Sequence, residues 1–138
     1  MTTAVDTNVF VALWNADDSL NLAASKALES VQGRLVVCGA VYSELLASPG
    51  RTEDDLDRFF DQELIEVEWG LTEEIWRAAG NAFSGYASRR RKANAGHPRR
   101  ILTDFIIGAH AFENRYGLLT LDDKLFRASF PKLRLIRF

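Results

Sequence analysis

The sequence predicts an α/β domain built on a mainly parallel sheet, and three observations carry that expectation. Short apolar runs alternate with segments whose apolar residues recur at helical spacing, the pattern of strand–helix–strand units. One run, Leu35-Val36-Val37-Cys38, is apolar at every position, as a strand covered on both faces requires. The 138 residues, 47% hydrophobic and 26% charged, fit one ordinary globular domain over 1–138 with a core of its own.

Each element follows from local pattern. Ala4-Val5 reads as a short strand ending at Asp6, after which Val9, Phe10, Leu13 and Trp14 fall at helical spacing from about Thr7. A second helix over 20–31 places Leu20, Ala24, Ala27, Leu28 and Val31 on one face and stops at Gly33. The strand at 35–38 leads into a helix over 40–47 that carries Val41, Leu45 and Leu46 and is closed by Ser48-Pro49-Gly50. An acidic, solvated helix around Leu56, Phe59 and Phe60 precedes a third strand at Leu64-Ile65-Glu66-Val67. The helix expected over 72–87 puts Ile75, Trp76, Ala79 and Phe83 on its buried stripe. A helix end and loop over 89–100 follow, then a strongly apolar central helix over 101–116. Leu118-Leu119-Thr120 and Leu133-Arg134-Leu135-Ile136 supply strands four and five.

Composition excludes several classes. The lone Cys38 rules out disulfide scaffolds and cysteine-based zinc sites, and its apolar run reads as a buried, inert thiol. No basic flank or long apolar run opens the chain, so neither a signal peptide nor a membrane span is expected, and a cytoplasmic location is. The net charge of -2 hides an asymmetry: ten acids against one base over 53–74, and six bases without an acid over 89–100. That distribution suggests one surface suited to a polyanion.

Four carboxylates are candidates for chemistry. Asp6 and Asp122 follow predicted strands, and ligands of open α/β sheets bind outside the carboxyl ends of the strands. Thr120 ends the same strand as Asp122 and can offer a hydroxyl. Asp104 stands near the start of an almost wholly apolar helix, where it either stabilises the positive helix end or needs a cation as partner. Glu44 belongs either to a solvated helix face or to the site, and Asp6 is either an N-cap or a site acid. Carboxylates without His or Cys partners favour a hard cation such as magnesium or manganese, which activates water and stabilises charge on a phosphoryl group.

These segments resemble the PIN-domain family, and within it the VapC-type toxins of bacterial toxin–antitoxin pairs. Val5-Asp6-Thr7-Asn8-Val9-Phe10-Val11 looks like the first family motif, and Val41-Tyr42-Ser43-Glu44-Leu45 is similar to the second. Asp104-Phe105-Ile106-Ile107-Gly108-Ala109-His110-Ala111 is similar to the third, and Leu119-Thr120-Leu121-Asp122-Asp123 to the fourth. The resemblance spans nearly the whole chain. It implies a three-layer α/β/α fold with sheet order 3-2-1-4-5 and metal-dependent endonucleolytic hydrolysis of RNA phosphodiesters. It implies one or two Mg²⁺ or Mn²⁺ ions held by Asp6, Asp104 and Asp122, with Glu44 a ligand or the residue orienting water. Asn8 and Thr120 become supporting residues, and Asp123 a solvated loop residue. It further implies a VapB-type antitoxin partner and a homodimer.

Arg89, Arg90, Arg91, Lys92, Arg99 and Arg100 are candidate RNA-phosphate contacts, against the alternative of a solvated helix end. His97 is expected to be a loop residue and His110 a core histidine, while Trp14, Trp69 and Trp76 are assigned to core or interface. Two rivals to a toxin nuclease are a housekeeping RNA-processing nuclease and a non-catalytic RNA-binding PIN domain. An Asp-x-Asp phosphatase is disfavoured because Asn8 stands where its second acid belongs.

Overall fold

The computed structural model describes residues 1–96 and 100–136. Its elements are β1 (Thr2–Val5), α1 (Thr7–Leu13), α2 (Asn21–Ser30), β2 (Arg34–Cys38), α3 (Gly39–Leu46) and α4 (Glu53–Gln62). They continue with β3 (Ile65–Glu68), α5 (Glu73–Lys92), α6 (Leu102–Glu113), β4 (Gly117–Leu119), α7 (Asp123–Ser129) and β5 (Leu135–Ile136). All strand pairings are parallel, in the order β3-β2-β1-β4-β5. Connections from β1 to β2 and β3 run one way and β4 and β5 lie on the other side, so the strand order reverses beside β1.

The centre of the sheet is buried on both faces. Successive strand residues point to opposite sides, yet Thr3, Ala4 and Val5 of β1 and all of β4 are buried. Helices must therefore cover both faces, giving three layers. Phe10, Val36, Val37, Leu45, Phe105, Ile107, Leu118 and Leu119 form the heart of this core, and Cys38 is buried in it as expected.

Helix ends follow capping chemistry. Thr52 opens α4 with a capping box: its hydroxyl accepts the Asp55 N–H while the Asp55 carboxylate accepts the Thr52 N–H, both at 3.1 Å. Thr72 caps α5, whose first turn carries Glu73 and Glu74 and whose last carries Arg89 to Lys92, matching the helix dipole at both ends.

Several expectations need correction. Helix α5 runs past the expected residue 87 to Lys92, so four of the six bases form the expected helix end, one turn longer than the helical spacing marked. Trp76 is 50% exposed because the buried stripe of α5 passes through Ile75 and Ala79 and leaves it to one side. Trp69 is 64% exposed and lies edge-on against Tyr42. Leu64 has a positive φ and is outside the strand, which begins at Ile65. Helix α7 was not anticipated, and Asp123 is its first residue, paired with Arg127 at 2.7 Å, not a loop residue. His110 is buried as expected: its Nε2 sits 2.9 Å from Glu68 Oε1, while its Nδ1 has no partner among the described residues. His97 and Arg99 lie outside the described residues.

Gly108 sets how closely α6 approaches the end of α7. A Cβ built there falls 2.4 Å from the Phe130 ring and 3.1 Å from Phe126. Gly108→Ala is expected to destabilise the protein by about 1–3 kcal/mol through overpacking, despite the better helix propensity of alanine. Urea unfolding checks this, and an unchanged or raised midpoint would contradict the packing described.

Candidate functional site

The four acids arrive from four separate parts of the chain and line one cleft. Asp6 follows β1, Glu44 comes from α3, Asp104 from the first turn of α6, and Asp122 precedes α7. With Thr7, Asn8, Val11, Arg100, Leu125 and Phe126 they bound a space of about 280 Å³. It lies at the carboxyl ends of β1 and β4, where the strand order reverses.

Asp6 is fixed most tightly. It occupies the N-cap position of α1 but makes no side-chain cap, so capping does not explain it. Its backbone N–H bonds to the Leu119 carbonyl at 2.9 Å, extending the β1–β4 pairing by one residue. Its carboxylate accepts the Thr120 hydroxyl proton at 2.7 Å and is only 5% exposed. Burial pushes the Asp6 pKa up to about 6, the charges of Asp104 and Glu44 push the same way, and the Thr120 bond opposes them.

Thr120 is the junction of the site. It stands just past β4, and its oxygen also accepts the Asp122 N–H at 3.0 Å and, more weakly, the Asn8 amide at 3.5 Å. The Asn8 carbonyl accepts the Leu121 N–H at 3.2 Å. Asn8 is thus committed to holding the β4–α7 loop and is not an acid–base group, consistent with the case against an Asp-x-Asp phosphatase.

The remaining acids have graded surroundings. Glu44, half-buried at the cleft, accepts the Thr7 hydroxyl at 2.6 Å. Partial burial raises the Asp104 pKa, with Asp122 adding to the rise, while Arg100 and the Ile101 N–H oppose it. Asp122 caps α7 through the Leu125 N–H at 3.4 Å and pairs with Arg100 at 2.6 Å.

The donor set is all hard oxygen and suits a divalent cation of the magnesium class. Among the described residues no three acidic side chains stand close enough to share one ion, and Asp122 is turned onto Arg100. The chemistry of the donors fits, and their spacing is that of an open cleft.

The candidate bases separate. Arg100 lines both the acidic cleft and a neighbouring space, whereas Arg89 and Arg90 line only the latter, with Lys124 of α7, which sequence reasoning missed along with that helix. Arg91 and Lys92 are exposed and line neither.

The sequence matches the family model described as PIN domain over residues 3–131. The chain belongs to the PIN-domain family. No curated protein matches it. Among solved structures, this PIN domain is similar to VapBC-1 from nontypeable Haemophilus influenzae, at 21% identity and TM-score 0.68, covering 99% of this chain and 98% of that one. It is also similar to a toxin–antitoxin complex from Klebsiella pneumoniae, at 17% identity and TM-score 0.67 over 97% and 95% of the two chains. A third is Mycobacterium tuberculosis VapC20, described as a sarcin-ricin loop cleaving toxin, at 17% identity and TM-score 0.64 over 96% and 98%. At these identities the likeness is one of fold. Among the described residues no helix of this PIN domain is long and apolar enough to cross a membrane.

A carboxylate whose folded pKa lies above its ordinary value opposes folding once ionised. Asp6 contributes its stability below pH 3.8 and loses it as pH rises through about 6. In metal-free protein at pH 7.5, Asp6→Asn should therefore raise stability, by up to about 3 kcal/mol. Thermal melts in chelator check the direction, and a lowered midpoint would show that the charge is already compensated.

Proposed function

We propose that this PIN domain is a metal-dependent endoribonuclease acting as the toxin of a VapBC-type toxin–antitoxin pair. The observation that carries the reading is the convergence of Asp6, Glu44, Asp104 and Asp122 from four elements onto one cleft at the reversal of strand order. Structural likeness to toxin–antitoxin complexes and to an RNA-cleaving toxin supports both the reaction and an antitoxin partner.

On this reading Asp6, Asp104 and Asp122 would hold one or two Mg²⁺ or Mn²⁺ ions. When bound, the metal supplies Lewis acidity and an activated water. The chain's own residues supply the rest. Asp6, desolvated and among like charges, is a carboxylate that gains by taking a cation. Thr120 and Asn8 hold Asp6 and the β4–α7 loop at fixed distance. Glu44, held by Thr7, would be a further ligand or would orient the attacking water. Arg100, which lines the cleft, neutralises Asp122. The partners on this reading are RNA, a VapB-type antitoxin and a second copy of the chain.

Purified protein freed of any partner should cut total cellular RNA into discrete products in Mn²⁺ or Mg²⁺, and not in chelator. Asp104→Asn is expected to lower the rate at least 100-fold, on the scale of losing one electrostatic contact to the transition state. Cleavage surviving both chelator and the substitution would belong to a contaminant. Intact RNA in every reaction, together with no Mn²⁺ binding by calorimetry, would overturn the proposal.

A further inference from the structure

Beside the acidic cleft lies a second and larger one, between the C-terminal turns of α5 and helix α7. It encloses about 510 Å³, within the range of ligand sites, and is lined by Tyr86, Arg89, Arg90, Arg100, Lys124 and Ser129 together with small alanines. Arg100 and Leu125 line both spaces, so the two clefts share a wall.

The charges in this second cleft are unevenly spent. Arg100 is compensated by Asp122, and Arg90 bonds the Ala95 carbonyl. Among the described residues Arg89 reaches only the Ser129 hydroxyl, at 3.4 Å, and neither Arg89 nor Lys124 pairs with an acid. Two cations on facing helices, left without counter-charges and set beside an aromatic ring, are what a nucleic-acid backbone meets in a single-strand groove.

We propose that the α5–α7 cleft is a subsite for single-stranded RNA, in which Lys124 and Arg89 hold the backbone phosphates next to the one lying in the acidic cleft. The inference rests on the nuclease reading and extends it: the strand passes over Leu125 and Arg100, and α7 is part of the substrate surface. Arg91, two residues beyond Arg89, faces away from the cleft on the same helical turn and carries the same charge, which makes it the internal control.

The test uses the full chain in chelator, so that the probe stays intact, with a fluorescein-labelled random 12-nucleotide single-stranded RNA followed by anisotropy. Lys124→Ala and Arg89→Ala should each weaken binding about fivefold near 0.1 M salt and each flatten the salt slope by about 0.7. Arg91→Ala should stay within twofold. Equal losses in all three variants would mean a diffuse positive field and overturn the subsite, as would three unchanged affinities. Wild-type protein that cuts RNA in Mn²⁺ while the Lys124 and Arg89 variants bind normally would sink the subsite alone. Wild-type protein that neither binds nor cuts RNA would remove the nuclease reading and the subsite with it.

Discussion

A carboxylate held at the end of the central strand with almost no access to water sets the terms for everything around it. Asp6 sits where the apolar faces of β1 meet two layers of helix, so its charge cannot be solvated and has to be met by the protein. The nearest answer is one hydroxyl, from Thr120 across the β1–β4 pairing. The nearest aggravation is two further acids, Asp104 and Glu44, brought in by helices whose packing is decided elsewhere. A fold that concentrates negative charge in this way is tolerable because stability comes from the sheet and the helices packed on both of its faces.

The sheet was readable because its signals are local. A four-residue apolar run at 35–38 and the apolar pairs before Asp6 and Thr120 have few other interpretations in a chain with this alternation. Asp6, Asp104 and Asp122 could be singled out because each stands beside a strand end or helix start that the hydrophobic pattern marks, whereas Glu44, inside α3, was singled out by the family resemblance. Strand order was a different matter: it came from family resemblance, since nothing in local spacing says which strands are neighbours.

What the sequence hid lies in short or long-range features. Helix α7 offers only Leu125 and Phe126 as adjacent buried residues in seven, too few to show a period, although Asp122 before it and Arg127 in its last turn are the signals of a start and an end. Missing that helix meant missing Lys124. The pairing of Arg100 with Asp122 joins residues 22 apart, and no pattern in either neighbourhood announces it. Trp76 misled because an aromatic at helical spacing looks buried, while the stripe of α5 was already filled by Ile75 and Ala79.

The Thr120 hydroxyl has one proton and two lone pairs, and all three are engaged: the proton on Asp6, the lone pairs facing the Asp122 N–H and the Asn8 amide. Such an oxygen has no rotational freedom left. Its orientation joins the ionisation of Asp6 to the backbone of Asp122, so two site acids far apart in sequence communicate through a single atom. A serine could keep that link and a valine could not, which makes this small side chain a stricter constraint on sequence drift than the bulkier residues of the core around it.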